Sequence, residues 1–224
     1  MTARKKRTPT PSSSKVSPGF DPALDVMIDA RNLRGLTHPL RLRMLGLLRE
    51  RGPATATMLA SALGESSGAT SYHLRQLADY GFVVEDAERG RGRERWWRSA
   101  HRSSYFNTAA GTSDDERLLG EAYMRGVVRA MTARMEAWVD ASPTLPDEWR
   151  GAGTISDYRM LLTREQVSAL VERLDQIGVE GRIDDDAASD PRARRVAFQF
   201  QVLPDPGHIL DAEDGAPETE ARRG

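Results

Sequence analysis

Apolar positions in the first hundred residues repeat with a helical period that is broken by glycines and then gives way to strand-like runs. Leu24, Ile28 and Leu33 follow Asp21-Pro22, an N-cap and first-turn pair, and predict a helix that fades near Gly35. Thr37-His38-Pro39 opens a second helix, with Leu40, Met44, Leu45, Leu47 and Leu48 as its buried stripe and Gly52 as its stop. Pro53 to Ala56 supplies a short strand. Thr57 then caps a helix of about two turns, with Leu59, Ala62 and Leu63 on one face and Gly64 as the left-handed residue that ends it. Ser66 or Ser67 caps the next helix, which runs to about Tyr80 and stops at Gly81; Thr70, Leu74 and Leu77 face inward. Phe82, Val83 and Val84 read as a strand, Glu88-Arg89-Gly90-Arg91-Gly92-Arg93 as a glycine-rich turn, and Glu94 to Ser99 as the return strand.

The second half changes rhythm. Ser113-Asp114-Asp115-Glu116 is a capping box whose acidic first turn suits the helix dipole. The helix it opens runs to about Asp140. Leu119, Ala122, Tyr123, Gly126, Val127, Ala130, Met131 and Trp138 share one face, which serves either a dimer interface or packing within the chain. Ile155 to Leu162 reads as a strand. Thr163-Arg164-Glu165-Gln166 caps a further helix with Val167, Leu170, Val171, Leu174 and Ile177 inward, and Arg195 to Leu203 alternates as a half-buried strand. The predicted fold is mainly α with small β. A winged helix-turn-helix domain over 20–110 is followed by a long helix and a small strand–helix–strand α+β region within 111–203. Residues 1–19 read as a disordered basic tail and 204–224 as a disordered acidic one.

The helix over 67–80 carries candidate chemistry on its outer face. Ser67, Gly68, Ser71, Tyr72 and Arg75 lie opposite the apolar stripe, and small hydroxyls with one Tyr and one Arg suit base edges and phosphates. Helix pairs of this kind are common in proteins that bind no nucleic acid, and arginine-rich turns are often plain solvated loops. Here the two adjoin: Arg89, Arg91 and Arg93, with Arg95 and Arg98, follow directly. That order fits a helix in a DNA major groove with a basic wing on the backbone or minor groove. The alternative is a winged helix that grips an acidic protein partner.

Charge separates the two halves. Residues 1–110 hold 18 Lys and Arg against 10 Asp and Glu, net +8, whereas 111–224 hold 14 against 23, net −9. The overall −1 conceals a basic half that carries the helix-turn-helix. At 224 residues and 39% apolar content the chain can form one large domain or two small ones. It has no cysteine, which excludes disulfides, thiolate metal sites and thiol redox sensing. With no long apolar run and no hydrophobic leader, a cytoplasmic protein away from the membrane is expected. No nucleophile elbow, phosphate loop or zinc-hydrolase spacing is present, so neither an enzyme nor a cofactor is expected.

Residues from about 33 to 100 resemble the ArsR-type winged helix-turn-helix transcriptional regulators. The matching pieces are LTHPLRLRMLGLL, ATMLASALGESSGATSYHLRQLADYGFV, and the arginine wing with its WW return strand. The resemblance covers roughly a third of the chain. It implies a homodimeric, operator-binding regulator, usually a repressor, with the 67–80 helix as recognition element. By position Ser67, Gly68, Ser71, Tyr72 and Arg75 fall where similar proteins face double-stranded DNA; His73 either touches phosphate or braces the helix. Many relatives sense metals, but His38, His73, His101 and His208 lack ligand spacing, and Asp184-Asp185-Asp186 reads as a loop, so no metal is expected. Homodimerisation is expected through the 114–140 helix. A small-molecule effector would have Met124, Met131, Met135, Trp138, Trp149, Tyr158 and Met160 as pocket lining, positions that core packing also explains.

Overall fold

The computed structural model describes residues 20–89, 94–107, 113–181 and 190–209. The chain opens with strand β1 (Asp25–Met27), helices α1 (Ala30–Leu36) and α2 (Pro39–Arg51), and strand β2 (Ala54–Thr55). Helices α3 (Ala56–Leu63) and α4 (Ser67–Asp79) precede strands β3 (Val83–Glu85), β4 (Trp96–Ser99) and β5 (Ser103–Tyr105). Helix α5 (Asp114–Ala141), a 3-10 turn at Ser142–Thr144, α6 (Asp147–Arg150) and α7 (Arg164–Glu180) complete the order. Among the described residues no helix is long and apolar enough to cross a membrane.

The chain divides into two units, one up to Asp157 and one from Tyr158. The first is a winged helix. Leu33, Leu36, Met44, Leu45, Leu48, Leu74, Leu77 and Phe82 are buried in one core, each contributing about 1.5–3 kcal/mol. A three-stranded sheet in the order β2-β4-β3 flanks the helices, antiparallel throughout, with Val84 opposite Arg98 and Glu85 opposite Trp97. Trp97 turns inward from this sheet to close the core.

The first predicted helix is corrected by the structure. Residues 25–27 form a strand paired in parallel with β5, in register Asp25 to Ser103 and Met27 to Tyr105. The helix starts only at Ala30, where Asp29 accepts hydrogen bonds from the backbone N–H groups of Arg31 and Asn32 while the Asn32 side chain accepts from the Asp29 N–H. The Asp25 carboxylate is buried and takes a two-pronged contact from the Arg102 guanidinium, at 3.1 and 3.3 Å. Arg49 of α2 ties the same region together: it donates to Ser99 Oγ, the His101 carbonyl and Ser104 Oγ. Burial pushes its pKa down to about 10, so it keeps its charge at neutral pH.

Helix α5 belongs with the winged helix rather than with the region after it. Its capping box forms as the sequence predicts, with Ser113 Oγ accepting from the Glu116 N–H and the Glu116 carboxylate from the Ser113 N–H. Tyr123 enters the core and stacks edge-on with Phe106. Two glycines permit the close approach: a Cβ on Gly126 would sit 2.5 Å from Leu42 Cδ1, and one on Gly120 would sit 2.9 Å from Phe106 Cζ. Leu119, Tyr123, Gly126 and Val127 are therefore spent on contacts within the chain.

The second unit departs from the predicted strand–helix–strand. Its helix is present, capped by Thr163 and Gln166. The segments 155–162 and 195–203 do not form strands among the described residues. Tyr158 and Met160, two of the candidate effector-lining residues, are largely exposed. The basic tail, residues 1–19, lies outside the described residues, as do the Asp184–Asp186 run and the acidic tail beyond residue 209. The start of that tail, expected to lack structure, forms a helical turn over 206–209.

Candidate nucleic-acid interface

Two local devices fix the angle and depth of α4. The N-cap is Ser66, whose Oγ accepts from the Ala69 N–H at 3.1 Å. One turn on, the fully buried Thr70 hydroxyl donates to the Ala56 carbonyl at 2.9 Å, pinning α4 to the first residue of α3. The α3 cap is Thr55 rather than Thr57, since its hydroxyl accepts from the Met58 N–H and the helix begins at Ala56. Gly64 follows in the left-handed region at φ 69°, where an L side chain would be strained, and turns the chain toward Ser66. Leu74 and Leu77 hold the inner face of α4 with no solvent exposure.

The outer face of α4 carries the five residues that the sequence singles out. Ser67, Gly68, Tyr72 and Arg75 are exposed, Tyr72 by 53%, and Ser71 is half-buried. Arg75 Nε donates to the Ser71 carbonyl at 3.2 Å, which holds the guanidinium along the helix. Arg89 begins the wing turn and lies 3.6 Å from Asp86, an exposed pair of little energetic weight. Arg91 and Arg93 lie outside the described residues.

A cleft of about 350 Å³ lies between α4 and the wing, lined by Thr55, Thr57, Ser71, Arg75, Glu94, Arg95 and Trp97. The cleft unites two cations from different elements with hydroxyls at the start of α3. In sequence Arg95 is one of the wing arginines and Thr57 a cap candidate; the fold brings both to the cleft that Arg75 also lines. The only signal was the short distance in sequence between a helix start and a strand pair; their convergence is tertiary.

His73 packs between α4 and the start of α2. Its ring stacks on His38 with centroids 4.4 Å apart, and Tyr72 meets its edge at 5.1 Å. His38 in turn caps α2, its Nδ1 accepting from the Leu40 N–H. Burial lowers the pKa of both imidazoles, and the positive Arg41 lowers them further while Glu65 opposes. Both rings are therefore held neutral, a contact that joins α2 to α4 without adding charge. Among the described residues no group of three His, Asp or Glu side chains is placed to hold a metal ion.

Residues 36–86 match a family model described as a helix-turn-helix domain, which spans α2, α3, α4 and the start of the wing. This is the class of domain found in DNA-binding transcription regulators. No curated protein matches the chain significantly.

Proposed function

We propose that the protein is a sequence-specific DNA-binding transcription regulator of the ArsR type that acts as a homodimeric repressor. The observation that carries this reading is the exposed α4 face, with Ser67, Gly68, Tyr72 and Arg75 raised on a fully buried Thr70–Leu74–Leu77 seat beside the Arg95 side of the wing. In this reading α4 enters the major groove, and Arg89, Arg91 and Arg93 reach backbone or minor groove. Pairing of two copies is assigned to α5, on a different stripe from the one the sequence suggests. With Leu119, Tyr123, Gly126 and Val127 packed against the core, Met124, Val128 and Met135 lie on a separate stripe at spacings of four and seven residues, Met124 and Val128 being 36% and 57% exposed. That spacing is the seam of a helix pair. Any small-molecule input is assigned to the acidic C-terminal half, where it would not compete with DNA phosphates.

Selection from a pool of random duplexes tests the reading. The expected product is a two-fold site whose half-sites lie about 10–10.5 bp apart or a multiple of it. Tyr72→Ala or Arg75→Ala should relax preference at particular base pairs, at about 1–3 kcal/mol each. Arg91→Ala with Arg93→Ala should weaken all duplexes alike and flatten the log–log salt dependence by about one unit per lost phosphate contact. Duplex binding without sequence preference, or unaltered by these changes, would favour the protein-contact alternative.

A further inference from the structure

We propose that the cleft between α4 and the wing seats one phosphate of the DNA backbone, held by Arg95 and Thr57, and that Glu94 limits how tightly it is held. This rests on the DNA-binding reading above and adds a contact and a restraint that the reading leaves unassigned.

Strand pairing builds two sides of the cleft. Thr55 stands opposite Trp96 and Ala54 opposite Trp97 in an antiparallel ladder. Beyond those pairs one segment enters α3 through Ala56 and Thr57, while the other arrives through Glu94 and Arg95. All four residues therefore lie at the same end of the ladder and line the cleft. Because Thr55 caps α3, the Thr57 hydroxyl is not used as a cap and is left on the cleft wall. The third side is α4. Its Thr70 hydroxyl is bonded to the Ala56 carbonyl, which sets Ser71, the next residue, and Arg75, one turn on, along the facing wall. Arg75 uses its Nε on the Ser71 carbonyl and adds positive charge to that wall without leaving the helix. Trp97, anchored in the core, gives the cleft a fixed apolar wall.

Two guanidinium groups on separate elements, with hydroxyls between them, match the acceptor oxygens of a phosphate. At about 350 Å³ the cleft is at the small end of ligand sites, a size for one phosphate with its ordered waters. Arg95 can turn toward it. Its partner in the unbound chain is Glu85 at 3.8 Å, and with side chains 67% and 48% exposed that pair has little energetic weight. Exchanging Glu85 for a phosphate therefore costs little. Glu94 acts in the opposite sense, since it brings a carboxylate into the same cleft and opposes any phosphate that enters. A phosphate carries no sequence information, so this restraint lowers affinity without altering base preference.

Full-length variants titrated with the selected duplex and with random duplex, over a range of salt, test the seat. Glu94→Gln should bind both about two- to fivefold more tightly, a gain that a misfolded chain cannot give. Arg95→Gln should bind both about fivefold or more weakly, with the log–log salt slope reduced by about one unit. Thr57→Val, which keeps the shape, should weaken binding about threefold and leave the slope unchanged. Methylphosphonate placed at one backbone position at a time locates the contact. One position in each half-site should weaken the wild type and leave Arg95→Gln unaffected. If Arg95→Gln and Glu94→Gln bind the selected duplex as the wild type does, the seat is overturned and the DNA-binding reading stands. If inorganic phosphate raises the melting temperature of the wild type but not of Arg95→Gln, and no methylphosphonate position distinguishes them, the cleft takes a free anion and the backbone assignment is overturned. A wild type that selects no duplex overturns both.

Discussion

The His38–His73 contact gives the winged helix a dependence on pH that single residues explain. Both imidazoles, and His101 beside Arg49, have pKa values lowered in the fold, with burial as the first cause. In the unfolded chain they take up protons below about 6.5, before the folded chain does. Stability from these groups is therefore complete above that pH and is lost as pH falls toward the lower folded values. Thermal melts should show a lower midpoint at pH 5 than at pH 7.5. His73→Phe, which retains a stacking ring, should lessen that difference; an unchanged difference would remove His73 from the account. This contact was not legible in the sequence, since thirty-five positions separate rings that meet only after α2 and α4 pack. The caps were legible, because Ser66, Ser113 with Glu116, and Thr163 with Gln166 act within one turn of themselves.

At the scale of elements, α3 and α4 depend on one buried hydroxyl. Thr70→Val keeps the shape but removes the hydroxyl that donates to the Ala56 carbonyl, at an expected cost of about 1–2 kcal/mol in urea unfolding, whereas Thr70→Ser should recover most of it. A loss of the same size in the serine variant would point to packing rather than the hydrogen bond. The elements with local causes were readable: α2, α4, α5 and α7 lie where period, caps and glycines put them, and α3 does so except that its cap is two residues earlier. β1 was not. Asp21-Pro22 is a local helix-start signal, but residues 25–27 are decided by pairing with β5, far along the chain. The opposite error occurred at 155–162 and 195–203. Alternation there marks positions suited to a strand, but neither segment forms one among the described residues. The candidate site shows the same division: Ser67, Gly68, Ser71, Tyr72 and Arg75 follow from helical spacing, while the cleft that Arg75 shares with Arg95 and Thr57 requires the fold.

At the scale of the molecule, the winged helix extends beyond the residues that match the family model. β1, β5 and the first half of α5 share its core, so the folding unit is wider than the reading head. A fragment of residues 20–141 should fold cooperatively. One of residues 30–141 loses Ile28 from the core and leaves Arg102 without Asp25, and should be about 2–4 kcal/mol less stable in urea. Equal midpoints for the two fragments would mean that β1 only decorates the domain.

The β1–β5 pair also orders events during synthesis. Asp25 and Arg102 are 77 residues apart in sequence. At about 5–20 residues per second, the first strand leaves the ribosome roughly 4–15 s before the partner that secures it. Through that interval α2, α3 and α4 can already assemble from contacts among themselves, while β1 offers an unpaired edge to any other nascent chain. The amino-terminal strand is thus made first and fixed last, and slow translation between residues 30 and 102 lengthens the time for which it stands open.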